Sequence, residues 1–301
     1  TRAPMEVVVS AARGSATNTW VLQSTGATRA GWPQVTGGGS YAWGVYNDNV
    51  ALANLDADRA LELVVPSDVH YVCSYEADGS HRAADPVYGG KNWGEVGVWE
   101  SYATELRGWG ECNGVRAESY RTNFADGPAT VTDLDRDGTP EVVATGRTYD
   151  CTGGETTRYT GVYVFQPDRG RFVTPDYDWR AAPVDLGAPL SLDYDVIESA
   201  SYNPVVADLD GDGEQEILFS DFSGRVHAMW LDKTEHGAWP YRVHDPAEGF
   251  FRYASEPVVA DLDADGDAEV LFASWTEKGS NTNGRLHVLS STGAVLHQLT
   301  L

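Results

Sequence analysis

Positive charge is what this sequence is short of. Its 301 residues hold 21 Lys and Arg against 45 Asp and Glu, a formal net charge of −24. Nucleic acid is excluded as a partner, because a phosphate backbone is held by basic residues in excess. Cysteine is scarce too, and Cys73, Cys112 and Cys151 show no CxxC spacing, which removes zinc-ribbon and thioredoxin-like readings. They leave one disulfide and one thiol. Cys112 with Cys151 is the expected pair, since both fall in irregular Gly-rich stretches while Cys73 lies in an apolar, strand-like run. No apolar run approaches the roughly 18 residues of a membrane helix. The apolar stretch from Met5 to Ala12 is too short and wrongly flanked for a signal peptide. HExxH, GxSxG, GxGxxG and GxxxxGK[ST] are missing as well, so no catalytic residue is expected.

What is there is a repeat. Four segments align without gaps: NLDADRALE (Asn54 to Glu62), DLDRDGTPE (Asp133 to Glu141), DLDGDGEQE (Asp208 to Glu216) and DLDADGDAE (Asp261 to Glu269). Each sits between two short apolar runs, such as PVVA and ILFS around the third copy, so the loop joins two strands. A third strand follows, in VHYV from Val69, VYVF from Val162, VHAMW from Val226 and LHVL from Leu286, and then a weaker fourth, as in WPYRV from Trp239 or VLHQLTL from Val295. The N-terminus fits the same frame: Glu6 stands where Glu141 stands, and TWVLQSTG matches the third strand. From Glu6 the aligned glutamates are spaced 56, 79, 75 and 53 residues apart. Four-stranded meanders at such periods, with no helical pattern between them, predict an all-β chain built as a β-propeller, and a β-sandwich would not repeat one loop in every meander. Five units are expected, near 1–45, 46–126, 127–200, 201–254 and 255–301, in one domain.

Carboxylates at positions 1, 3 and 5 of a tight loop converge on one point, and Gly at position 6 permits the sharp turn. A hard, oxygen-seeking cation suits that set, and no His or Cys is present to favour zinc or copper. A single DxDxDG is weak, because Asp and Gly are ordinary turn formers; three copies, each between two strands, are not. The expected ligands are Asp133, Asp135 and Asp137; Asp208, Asp210 and Asp212; and Asp261, Asp263 and Asp265. The copy at Asn54, with Asp56 and Asp58, is a degraded fourth, since its first ligand is neutral and Arg59 replaces the glycine. Around Glu6, where Arg2 and Ala3 take positions 5 and 6, no site is expected.

These units resemble the FG-GAP and VCBS repeats, the bacterial VCBS style more than the integrin α-subunit propellers. The resemblance implies calcium, with a backbone carbonyl at position 7 and a carboxylate at position 9 completing the shell: Thr139 and Glu141, Glu214 and Glu216, Asp267 and Glu269, and in the degraded copy Ala60 and Glu62. It also implies seven blades, so the chain is expected to be part of a longer propeller or to close with other strands. The ions would be structural.

His70, His227 and His287 share the second position of the third strand, which reads as repeated packing. Two insertions, Asp85 to Gly127 and Asp176 to Asn203, are rich in aromatic residues, and in a propeller they would crowd the face opposite the loops. Trp93, Trp99, Trp109 and Trp179 are the ligand-face candidates there, suited to sugar stacking or to anchoring a protein. The expected function is an extracellular or cell-surface binding or adhesion module for protein or glycan. Two rivals are a propeller-type polysaccharide lyase or other carbohydrate-active enzyme, for which Arg107, Arg116 and Arg121 are the basic candidates, and an architectural subunit completed by another chain.

Overall fold

The computed structural model describes residues 5–10, 19–34, 50–56, 58–68, 71–82, 111–112, 115–116, 122, 124, 129–149, 158–167, 170–193, 196, 200, 203–277 and 284–301. The expected Cys112–Cys151 pair, Trp93, Trp99, Trp109, His70 and the side chains of Arg107, Arg116 and Arg121 lie outside the described residues. No described helix is long and apolar enough to cross a membrane.

The fold is all-β, in several antiparallel sheets. The first sheet pairs β1 (Val7–Ser10) with β2 (Thr19–Leu22); the second holds β3 (Ala51–Ala53), β4 (Glu62–Asp68) and β5 (Tyr71–Tyr75). A short ribbon joins β6 (Glu111–Cys112) to β7 (Val115–Arg116). Then come two four-stranded meanders, β8 (Ala129–Thr132) to β9 (Glu141–Tyr149), β10 (Arg158–Phe165) and β11 (Val184–Asp185), and β12 (Val205–Ala207) to β13 (Glu216–Ser220), β14 (Arg225–Met229) and β15 (Tyr241–Arg242). The last sheet has five strands, β16 (Arg252–Ala254), β17 (Val258–Ala260), β18 (Glu269–Thr276), β19 (Arg285–Leu289) and β20 (Val295–Thr300). The extra strand arises because β18 is long enough for β17 to pair at Val270 and β16 further on at Trp275.

By compactness the chain forms two units, one of Thr1–Val131, Thr139–Phe172 and Trp179–Val184, the other of Thr132–Gly138, Val173–Asp178 and Asp185–Leu301. Within each, the cores lie between consecutive sheets. In the first, Leu63 and Val65 of β4 pack with Val21 and Trp32, while Val64 between them packs with Val142, Ala144 and Tyr163. Successive side chains leave a strand on opposite faces, so an unbroken apolar run marks a strand buried on both. In the second unit, Leu218, Val226 and Ala228 pack against Val270, Phe272 and Leu289. The second strands β4, β9 and β13 are buried on both faces over their described side chains, and each begins at the position-9 glutamate.

Candidate metal centres

Each aspartate loop crosses from a first strand to a second, and the position-9 glutamate ties its two ends. Glu62, Glu141, Glu216 and Glu269 open β4, β9, β13 and β18 and are all buried. One oxygen of the glutamate takes the backbone N–H of position 2: Leu55 to Glu62 Oε2 at 2.6 Å, Leu209 to Glu216 Oε2 at 2.7 Å and Leu262 to Glu269 Oε2 at 2.8 Å. The first aspartate then folds the loop by accepting the glycine N–H at position 6, Gly138 to Asp133 Oδ2 at 2.9 Å, Gly213 to Asp208 Oδ2 at 3.1 Å and Gly266 to Asp261 Oδ2 at 3.2 Å. Those glycines have φ of 94, 100 and 103°, a left-handed backbone that a Cβ disfavours. That is the reason for the Gly at this spacing.

The bonds leave other oxygens pointing at one another. Ligand atoms of Asp133, Asp135 and Glu141, of Asp208, Asp210 and Glu216, and of Asp261, Asp263 and Asp265 each fall within 4.8 Å of their partners. Among the described residues of the loops, Asp133 Oδ1, Asp208 Oδ1 and Glu216 Oε1 are buried with no hydrogen-bond partner, as is Glu62 Oε1 of the degraded copy. A buried carboxylate oxygen with nothing to accept from is costly. Burial, together with Asp210, Asp212 and Asp208 beside it, pushes the Glu216 carboxyl up to about 8, against the opposing pull of the Leu209 N–H; burial likewise raises Asp135. An all-oxygen, acid-rich set with orphaned buried atoms fits a hard divalent cation.

The expected ligands do not all converge equally. Asp212 instead accepts the N–H of Glu214 at 2.7 Å, as Asp265 accepts that of Asp267 at 3.0 Å. The Glu214 side chain accepts a hydrogen bond from the Tyr177 hydroxyl. In the last loop Asp261, Asp263 and Asp265 are exposed, a more open arrangement than the other two.

The Asn54 loop is built differently. Asn54 Nδ2 donates to the Asp58 carbonyl at 2.6 Å, Asp58 Oδ1 takes the Ala60 N–H, and Arg59 is not among the residues with positive φ. The turn has relaxed into a shape that needs no glycine. The converging acids here are Asp56, Glu62 and Glu76, the last a residue outside the loop motif, and Arg82 lies among them.

The histidines are buried and stacked on phenylalanine of the neighbouring strand: His227 on Phe219 at 4.5 Å and 5°, His287 on Phe272 at 4.8 Å and 12°. Sequence reasoning missed the acids around His227. Its Nδ1 lies 3.0 Å from Glu235 and its Nε2 3.5 Å from Asp221 and 4.0 Å from Asp185, while Arg225 contacts Asp185 and donates to Ser223 Oγ at 2.7 Å. No motif links residues 185, 221, 227 and 235; only the turn DFSGRVH places two of them. Trp179 corrects the expected ligand face: it is fully buried, and its N–H bonds the Phe172 carbonyl at 2.9 Å in a hairpin, so its ring offers no surface for stacking on a ligand.

Among three solved structures, one is a fold match with a TM-score above 0.5. The V. cholerae biofilm matrix protein Bap1 superposes with a TM-score of 0.52 at 15% identity, over 99% of this chain and 36% of Bap1, so the chain spans about a third of that protein's length. A GH43 β-1,3-galactosidase with galactodeoxynojirimycin gives a TM-score of 0.41 at 10% identity, covering 97% of this chain and 80% of the other. An exotype rhamnogalacturonan lyase gives 0.36 at 15% identity, covering 98% and 52%. No curated protein matches the chain significantly by sequence. Residues 208–272, from the first aspartate of the third loop through the fourth loop into β18, match the FG-GAP-like repeat.

Proposed function

We propose that the chain is a calcium-loading β-propeller segment that works outside the cell or at its surface as a binding module for protein or glycan. The observation that carries the calcium reading is the set of buried, partnerless oxygens, Asp133 Oδ1, Asp208 Oδ1 and Glu216 Oε1, each within a loop whose backbone is already satisfied by its own carboxylates. Calcium would supply the positive charge that these oxygens lack. Asp208, Asp210 and Glu216 would hold it in the third loop, Asp133, Asp135 and Glu141 in the second, and Asp261, Asp263 and Asp265 in the last. Oxygen sites of this openness suit the calcium concentrations found outside cells, a setting in keeping with a fold shared with a biofilm matrix protein.

The ions act on stability. Binding to the folded state alone adds about 2.7 kcal/mol per site at a hundredfold excess over the dissociation constant. Thermal melts of the whole chain in calcium and in excess chelator test this: a large fall on chelation is expected, and an unchanged melt removes the reading. A glycan array run in both conditions tests recognition. Calcium-dependent retention on one glycan class supports a glycan ligand, and a blank array with a folded protein leaves a protein ligand.

A further inference from the structure

All five repeats share a turn after the third strand, and it aligns them without reference to the aspartate loops. Its first residue donates a backbone bond to the carbonyl four residues on: Gln23 to Ala27 at 2.8 Å, Glu76 to Ser80 at 2.9 Å, Gln166 to Gly170 at 3.0 Å, Trp230 to Thr234 at 2.9 Å and Ser290 to Ala294 at 2.9 Å. Two residues past the acceptor the chain turns back. There the N–H groups of Arg29, Arg82 and Phe172 bond the carbonyls of Val21, Ser74 and Val164 at 2.8, 3.0 and 3.1 Å. The same count in the remaining repeats reaches His236 and Leu296. Arginine thus stands at this position in the two repeats whose aspartate loop is absent or degraded, and in none of the three with an intact DxDxDG.

The side chains go where an ion would. Arg82 Nη1 lies 3.3 Å from Asp56 Oδ2, 3.5 Å from Glu76 Oε1 and 3.8 Å from Glu62 Oε2, with its side chain 14% exposed. Arg29 pairs with Glu6. Register makes these the same contact, because Val7 faces Leu22 and Leu63 faces Tyr75, which puts Glu6 and Glu62 at one position and Arg29 and Arg82 at another. From this geometry we infer that Arg82 takes the place of the ion in the second repeat, so that the Asn54 loop binds no calcium, and that Arg29 does the same for Glu6 in the first.

The chemistry of the loop agrees. A guanidinium is always charged and spreads one positive charge over a planar fork of donors, whereas a divalent ion brings two charges to a point and needs six or more oxygens around it. With Asn54 in place of Asp, the loop carries one carboxylate fewer, in line with a monovalent occupant. Arg82 Nη1 lies within 3.8 Å of Asp56, Glu62 and Glu76, so an ion held by the same three acids would stand against a positive charge. The inference rests on the calcium reading of the other three loops only for the total ion count.

Arg82→Gln, melted as the whole chain in excess chelator, tests it free of any ion. The expected result is a fall in melting temperature of about 5–10 °C, at least half of it recovered in Arg82→Gln/Glu76→Gln, where one repelling carboxylate is gone. A variant that melts with the wild type overturns the inference. A second measurement needs no change at Arg82: calcium bound at saturation, counted by equilibrium dialysis, stays the same in Asp56→Ala and drops by one in Asp208→Ala/Asp210→Ala. Loss of one ion in Asp56→Ala overturns the inference. A wild type that binds none removes the calcium reading of the other loops, while the melt in chelator still decides the role of Arg82.

Discussion

The second and fourth repeats tie the ends of their loops in the same way, turn differently between them, and meet their acids with different charge. In both, a buried glutamate opens the second strand and receives the N–H of position 2, at 2.6 Å from Leu55 and 2.7 Å from Leu209. In both, the other glutamate oxygen, Glu62 Oε1 or Glu216 Oε1, is buried with no hydrogen-bond partner; in the second, Arg82 comes within 3.3–3.8 Å of three carboxylates. The ends of the loop are held in both by this protein hydrogen bond. What differs is the positive charge set against its acids: a side chain lies among them in the second repeat, and the proposed calcium would take that role in the fourth.

The largest effect that this difference predicts is on calcium-dependent stability. Removing calcium from the wild type should cost about 2.7 kcal/mol for each loaded site at a hundredfold excess, read as the shift between melts in calcium and in chelator. The variant Asp133→Ala/Asp208→Ala/Asp261→Ala keeps the Asn54 loop intact and should show no shift at all. A residual calcium shift in that variant would break the comparison, because the second repeat would then be a site like the rest.

The fourth and fifth repeats carry the same contrast to their histidines, which stack alike on phenylalanine. Burial pulls His227 down, but the close carboxylates of Asp221, 3.5 Å from Nε2, and Glu235, 3.0 Å from Nδ1, outweigh it and hold it up at about 9. Burial, with Arg285 and Arg252 nearby, pushes His287 down to about 4; its partners are Ser274 Oγ at 2.9 Å and the Tyr241 hydroxyl at 3.3 Å. The signs are opposite. His227 stabilises fully below its ordinary 6.5, and its contribution is lost as pH rises through about 9; His287 stabilises above 6.5, and its contribution is lost as pH falls through about 4. At about 1.4 kcal/mol per pKa unit, each limb amounts to about 3 kcal/mol. His227→Gln should flatten the alkaline limb of a stability-against-pH curve, and His287→Gln the acid limb; a variant that changes the wrong limb refutes the assignment.

Much of this could be read from the sequence. The repeat period gave the meanders, the apolar second strands gave burial on both faces, and DxDxDG gave the turn with left-handed glycine at Gly138, Gly213 and Gly266. Local pattern does not reach contacts made across the sheet. Glu76 and Arg82 belong to the Asn54 site through a turn more than 20 residues away, and Asp185 meets His227 from another strand. Trp179 stood in a polar, Gly-containing insertion and still went to the core, because a hairpin pinned at Val173 and Asp178 folds it inward. Composition of a loop does not tell on which side of the chain its rings fall.

The position-9 glutamates allow a finer test. Glu216→Gln in chelator removes a buried carboxyl held at about 8 and should stabilise the ion-free protein at neutral pH, whereas in calcium it removes a ligand and should destabilise it, by about 1–3 kcal/mol either way. Burial raises the Glu62 carboxyl too, against the pull of the Leu55 N–H and Arg82, and whatever Glu62→Gln does to stability should be equal in both conditions. Melts of the two variants with and without calcium check this, and a calcium-dependent effect of Glu62→Gln would place an ion beside Arg82.

The smallest effect lies in the loop backbone itself. Position 4 is left-handed in all three intact copies, at Arg136 with φ 59°, Gly211 with φ 70° and Ala264 with φ 62°. Only the copy in the fourth repeat uses the residue that this conformation favours, since a Cβ there crowds the following carbonyl at a cost of about 1–2 kcal/mol. Arg136 gains from its bond to Asp208 Oδ2 at 3.1 Å, which offsets part of the strain; Ala264 has no side chain with which to do so. Ala264→Gly trades that strain for a larger unfolded-state entropy and should come out ahead by about 0.5–1 kcal/mol, seen as a slightly higher denaturant midpoint in chelator. The loop that is most open and most exposed would then rest at its bound shape before any ion arrives, and calcium affinity there should rise with stability; a midpoint that falls would mean that Ala264 leaves the left-handed region when the loop is empty.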